Sequence, residues 1–324
     1  MRRLLQMLVA ISTIISLVLS VVLAMHQVKP MQAQQKGTVL RMAVPYAPEH
    51  PTAQAAVTFA KRVKQETDGE IEIQVFFETT LGTKTELLEQ LQFGGVAFAV
   101  VDSIVIGDQL PILAKLLQAS KGSEPEEMVA LLHRRQSNLK TAFDKEQIQP
   151  LAIYMPDYRV IATTQPVEKQ SDFAQRRLYH PGTLALQNGA QAVQMELADL
   201  FDTLDNDFVE GAELSLLEYT QASYFAVLPY VLVQNSVVAS DLLLASNASL
   251  GALRTEQQKL LQVLASETIQ AQAQALQAAQ LQAIRRLKQR QVQLYPHRLQ
   301  QTMPEHWPME LKKTPWLTGG EESA

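Results

Sequence analysis

The run Val96-Ala97-Phe98-Ala99-Val100-Val101 is apolar without a break and ends on Asp102. Side chains of a strand alternate between its two faces, so a strand apolar at every position must be covered on both. That is the condition of a strand inside a parallel α/β sheet. Ligands of open α/β sheets gather beyond the carboxyl ends of the strands. Asp102, at that end, is therefore a candidate binding residue.

The flanking segments supply the layers such a strand needs. Val39 to Val44 reads as a strand. Pro51 suits the first turn of a helix, where its missing N–H is not required. Ala55, Ala56, Phe59, Ala60 and Val63 then recur at helical spacing until Thr67-Asp68-Gly69. Ile71, Ile73, Val75 and Phe77 alternate with Glu72, Gln74 and Phe76, as in a half-buried strand. Thr83 and Glu86 form a capping box for a helix that buries Leu87, Leu88 and Leu91 and stops at Gly94-Gly95. Ser123 with Glu126 opens a second, long helix through Met128, Leu131, Leu132, Leu139 and Phe143, and Ile148 to Met155 is a strand. This order predicts α/β layering.

The stretch Asp157 to Pro181 predicts a strand over Tyr158 to Thr164, a turn at Pro166, a short polar helix or loop, and a second strand ending at Tyr179-His180-Pro181. Lying side by side, the two strands would turn Arg159 and Tyr179 into one cleft. A guanidinium there offers a planar fork of donors to a carboxylate. The same arginine also fits a surface charge on an edge strand. Beyond it come a strand over Ala192 to Met195 and a helix over Glu196 to Leu204, with Leu197, Leu200, Phe201 and Leu204 on one side. A strand over Phe208 to Glu213, a helix over Ser215 to Tyr224, and one or two strands in Tyr230 to Ala245 follow. The Gln-, Ala- and Leu-rich region from about Thr255 to Gln291 is too irregular for sustained heptads and suits a long helix bracing two domains. Trp307 and Trp316 stand in an irregular tail.

Several function classes find no support. A net charge of -5 carries no nucleic-acid footprint. The absence of cysteine removes disulfides and thiolate catalysis. The histidines (His26, His50, His133, His180, His297 and His306) form no helical metal-binding pair, and Asp202, Asp205 and Asp207 lack the glycine and terminal glutamate of a calcium loop. No phosphate-binding glycine loop or nucleophile elbow occurs. No catalytic residue, cofactor or metal is expected. At the start, Met1-Arg2-Arg3 precedes a charge-free stretch from Leu4 to Ala24 closing on Val22-Leu23-Ala24. That pattern is an export signal cleaved after Ala24. Its length approaches bilayer thickness, so an uncleaved anchor is the alternative. Residues 25–37 read as a polar tether. Either way the remainder lies outside the cytoplasmic membrane, in the periplasm.

His50-Pro51, Phe59-Ala60, Thr67-x-Gly69, Leu81-Gly82, the run Glu86-Leu87-Leu88-Glu89-Gln90-Leu91-Gln92-x-Gly94, and Val209-Glu210-Gly211-Ala212-Glu213 follow one another over roughly residues 39 to 295. This ordered set resembles the solute-binding subunit of TRAP transporters, the C4-dicarboxylate-binding (DctP-like) family. The resemblance implies an α/β, two-lobed periplasmic-binding-protein clamshell with a long helix spanning both lobes. Residues 37–156 plus 240–279 would form lobe I. Residues 157–239 plus 280–324 would form lobe II and the C-terminal tail, with 1–24 as signal or anchor. It implies capture of a small organic, carboxylate-bearing solute between the lobes and delivery to a TRAP-type membrane permease, with no enzymatic activity. The family pattern D-L-x-G-x-x-I-R reads here Asp172-Phe173-Ala174-Gln175-Arg176-Arg177-Leu178-Tyr179, so Tyr179 stands at the family's arginine. Arg159 matches a second family arginine, and Leu214 replaces an asparagine. Arg177 is the nearest substitute cation. The ligand contacts implied are Arg159, Tyr179, Leu214, Glu213, Asp102, Thr83 and His50. Losing two polar contacts predicts a solute with an apolar or aromatic body and at most one acidic group. It also leaves open a degenerate member that serves as a membrane-anchored sensor or interaction module.

Overall fold

The computed structural model describes residues 37–119, 130–132, 134–167, 170–182, 189–233, 240–290 and 292–295. Met1–Thr38 cluster as one unit and Val39–Ala324 as another. The export segment, the expected capping box at Ser123 and the tail with Trp307 and Trp316 lie outside the described residues.

β1 (Thr38–Val44) leads to α1 (Pro51–Glu66). His50 caps α1: its Nδ1 accepts from the Thr52 amide at 3.2 Å. β2 (Ile71–Phe77) alternates as expected at its buried start. α2 (Lys84–Gln92) carries the predicted capping box, with Thr83 Oγ1 accepting from Glu86 N and the Glu86 carboxylate accepting from Thr83 N. β3 (Phe98–Asp102) is buried at every position. Two short helices not foreseen from the sequence follow, α3 (Ser103–Gln109) and α4 (Pro111–Ala119). Then come α5 (Gln136–Lys145) and β4 (Ile148–Ile153).

The chain continues through β5 (Arg159–Thr163), a 3-10 turn at Gln170–Phe173, β6 (Arg177–Tyr179) and β7 (Gln191–Val193). The helix expected over Glu196 to Leu204 is a 3-10 turn, Leu197–Asp199, joined to α6 (Leu200–Asp205). Phe201 is exposed there and stacks on Tyr224 at 4.4 Å rather than entering the core. β8 (Gly211–Ser215) starts later than expected, and Phe208 is exposed. Gly211 lies so close to β5 that a Cβ there would meet the Ala162 carbonyl at 2.5 Å. α7 (Leu216–Gln221), β9 (Tyr230–Val233), β10 (Asp241–Ser246) and α8 (Asn247–Gly251) follow. The single helix expected from Thr255 is two, α9 (Thr255–Ser266) and α10 (Ile269–Gln289). At the break, Thr268 Oγ1 bonds back to the Ala265 carbonyl at 2.6 Å and meets Tyr154 Oη at 3.1 Å. Such back-bonding bends helices. β11 (Gln293–Tyr295) closes the described chain.

The strands form two sheets, ordered β2-β1-β3-β10-β4 and β11-β9-β5-β8-β6-β7. β3 is parallel to β1 and antiparallel to β10, at the centre of the first sheet. Phe98 and Val100 face the core under α1, while Ala99 and Val101 face the core under α2 and α5. Its uninterrupted apolar run is thus explained, in a mixed sheet rather than a parallel one. The chain crosses between sheets after β4 and again after β9, and α10 packs against both α1 and α7.

The side-by-side placement of the strands of Arg159 and Tyr179 is corrected as well. β5 and β6 are not neighbours, because β8 lies between them. Register pairs Tyr179 with Ala212 and Val160 with Leu214, so these four share the core-facing side of the second sheet. Alternation puts Arg159, Ile161 and Glu213 on the other side.

Candidate functional site

Where the two sheets face each other lies a narrow cleft. The loop after β1 gives it Tyr46 and His50, and the first turn of α1 gives Thr52. The facing ends of β3 and β10 give Asp102 and Asp241. The first crossover gives Met155 and Asp157, β5 and β8 give Arg159 and Ser215, α7 gives Glu218 and α10 gives Leu276.

On the first sheet, Asp102 and Asp241 are direct partners across β3 and β10. Asp102 Oδ1 accepts from the Ile104 amide at 2.7 Å, capping α3. Asp241 accepts from Tyr46 Oη at 2.7 Å and from Thr52 Oγ1 at 3.1 Å. Burial raises the Asp241 pKa and Asp102 adds to the rise, so that despite those hydrogen bonds it is pushed up to about 7. The Tyr46 ring stacks on His50 with centroids 4.0 Å apart. Burial holds the His50 imidazole neutral, pulling its pKa down to about 4.

On the second sheet, Arg159 Nε donates to Glu213 Oε1 at 3.3 Å and its Nη2 to the Glu213 carbonyl at 3.3 Å. Burial alone would lower the Arg159 pKa, but Glu213, Asp102 and Glu218 together raise it. Glu213 also stands 3.7 Å from His180 Nε2. Glu218 closes a capping box with Ser215 and accepts from Lys84 Nζ at 3.2 Å. Burial pushes the Glu218 pKa up, yet Lys84 and Arg159 outweigh it and pull it down to about 2. Lys84 Nζ also stands 5.2 Å from the centre of the Tyr46 ring. Asp157 is spent on structure: it accepts from the Tyr158 and Leu217 amides and from Gln280 Nε2.

Of the residues singled out from sequence, Arg159, Asp102 and His50 line the cleft. Glu213 stands behind Arg159 as its partner. Thr83 is used as the cap of α2. Tyr179 and Leu214 are buried in the second-sheet core, outside the cleft lining. Arg177, the substitute cation, is drawn to Glu210 at 2.8 Å on the partly exposed start of β6. Sequence reasoning missed Lys84, Glu218, Asp241 and Tyr46. Two of these left a trace: Ser215-Leu216-Leu217-Glu218 is a capping box, and Lys84 is a cation at a helix N-terminus, where the dipole disfavours it.

The model of the bacterial extracellular solute-binding protein, family 7 (DctP), matches residues 42–311. Among curated relatives, a solute-binding protein of Roseobacter denitrificans is 26% identical over 188 residues, 55% of this chain and 56% of the relative. One of Chromohalobacter salexigens is 21% identical over 211 residues, 63% of each. The chain thus spans under two thirds of the length of these relatives. Among solved structures, a TRAP periplasmic solute binding protein from Desulfovibrio salexigens with bound orotic acid superposes with TM-score 0.74 at 20% identity, covering 79% of this chain and 85% of that one. Another from Pseudomonas putida F1, with bound D-glucuronate, gives 0.73 at 18% identity, covering 79% and 87%. These likenesses show the two-lobed fold.

Proposed function

The chain belongs to family 7 of the bacterial extracellular solute-binding proteins, and from that premise we propose that it captures a small carboxylate-bearing solute between its lobes and delivers it to a TRAP-type membrane permease. Export to the periplasm by the segment Leu4 to Ala24 is part of this reading. The observation that carries it is Arg159. Its guanidinium is buried in the cleft wall, and Glu213 engages only Nε and Nη2. Among the described residues Nη1 has no partner, so a charge-assisted donor is left for a solute carboxylate. The orotate- and glucuronate-bound relatives, both holding acids, support the same solute class.

The direct test is a thermal-shift screen of the purified protein against carboxylates, amino acids and neutral solutes. A solute that binds only the folded state raises the melting temperature. At least one carboxylate-bearing solute should do so, and Arg159→Ala should abolish its effect. A screen blank for every acid, or an acid whose effect survives Arg159→Ala, would overturn the reading.

A further inference from the structure

We propose that the solute is zwitterionic, its carboxylate on Arg159 and a cationic amine at its other end on Asp102 and Asp241. This rests on the solute-binding reading above and names the substrate class of the same cleft.

The inference comes from which polar atoms the protein leaves unspent. The lining holds four carboxyl groups (Asp102, Asp157, Glu218 and Asp241) against one guanidinium, Arg159. Arg159 already faces Glu213, and Lys84, from outside the lining, already faces Glu218. Asp157 and Glu218 have both oxygens occupied by amides or side chains. Two groups remain. Arg159 is 5% exposed with Nη1 unpartnered, and Asp102 is 6% exposed with Oδ1 on the Ile104 amide and Oδ2 unpartnered among the described residues. Beside Asp102, the oxygens of Asp241 each accept from one hydroxyl and keep further acceptor capacity. The cleft therefore presents a donor of positive charge on one sheet and a pair of acid acceptors on the other. A dianionic solute would set its second carboxylate against Asp102 and Asp241. A hydroxyl would bring one donor and no charge there, whereas an ammonium brings three donors and a positive charge opposite to that of the acids. Met155 and Leu276 line the cleft for the apolar stem of such a solute.

Calorimetry on the purified protein tests this with matched sets: linear ω-amino acids from 3-aminopropanoate to 6-aminohexanoate and L-α-amino acids, each against the hydroxy acid and dicarboxylate of equal length, with D-glucuronate alongside. The tightest amino acid should bind at least about tenfold better than its matched hydroxy acid and dicarboxylate, the factor that ~1.4 kcal/mol represents. Asp102→Asn should cost the amino acid at least that factor more than it costs the hydroxy acid. Asparagine caps a helix as well as aspartate, so α3 keeps its start. If Asp102→Asn fails to fold, Asp241→Asn is read in the same way. A hydroxy acid, dicarboxylate or glucuronate that binds as tightly as any amino acid overturns the zwitterion and leaves acid binding standing, as does a folded Asp102→Asn with unchanged preference. Silence from every acid overturns both readings.

Discussion

Lys84 Nζ stands 3.2 Å from Glu218 Oε1, tying the first turn of α2 on one lobe to the first turn of α7 on the other. Neither helix needs this contact, and the dipole of α2 opposes a lysine at its first position. The pair therefore bridges the two lobes directly, and it is expected to act as a latch between them. Its side chains are 23% and 15% exposed. That places its strength between a surface pair and a fully buried one.

Removing Lys84 is expected to loosen the closure. Lys84→Met should cost about 1–3 kcal/mol, between the surface and buried limits, because Glu218 is left without its cation. Small-angle scattering of the unliganded variant should show a larger radius than wild type. Glu218→Gln, which keeps the capping hydrogen bonds, should do the same. Radii equal to wild type for both variants would remove the latch.

The pH dependence of stability should carry two opposite signatures. Asp241 has a folded pKa raised from 3.8 to about 7, so the unfolded chain loses that proton first. Its contribution to stability falls as pH rises from about 4 to 7. Glu218 has a folded pKa lowered from 4.5 to about 2, so its contribution is full above 4.5 and is lost as pH falls toward 2. Asp241→Asn should be more stable than wild type at pH 8, with the gap closing near pH 4. Denaturant titrations at both pH values check this. A gap that is constant with pH would contradict it.

Gly182 follows β6 and abuts Ile104 of α3 on the opposite lobe, and a Cβ there would lie well inside van der Waals contact with Ile104 Cγ2. Ile104 is β-branched and stiff within its helix, so it cannot swing aside. Gly182→Ala should therefore hold the lobes apart, weakening solute binding by about tenfold or more while leaving each lobe folded. Scattering and calorimetry on the same sample would show both effects. Gly182→Ala with wild-type affinity and radius would mean that this contact does not limit closure.

Gln272 on α10 receives the Met155 amide at 3.0 Å and donates to the Met155 carbonyl at 3.2 Å. Met155 lies in the first crossover between sheets, so this side chain clamps that crossover. Gln272→Leu would leave both backbone groups without that partner, at about 1–3 kcal/mol for each buried group left unsatisfied. Amide hydrogen exchange should quicken at Met155 while β3 stays protected. Unchanged exchange at Met155 would show that the clamp is dispensable.

The resemblance and the periodicities led to the right architecture because local patterns carry it. An apolar run that must be covered twice, a His-Pro start, and capping boxes at Thr83 are decided by backbone chemistry within a few residues. What pairs with what was less legible. The strands of Arg159 and Tyr179 are close in sequence and read as neighbours, yet β8 inserts between β5 and β6. Strand order and register are properties of the assembled sheet, and register decides which face a side chain joins.

By itself the sequence determined most of the strands and several helices, the cap at Thr83, the absence of cysteine chemistry and the presence of Arg159 and Asp102 at strand ends. Only the tertiary structure decided that Arg159 is shared with Glu213, that Lys84 and Glu218 meet across the lobes, and that Asp241 faces Asp102. These partners lie 54, 134 and, by subtraction of 102 from 241, 139 positions apart. Charges so far apart along the chain interact through space, at strengths set by burial, and neither quantity exists until each sheet has assembled and, for Lys84 and Glu218, the two lobes have met.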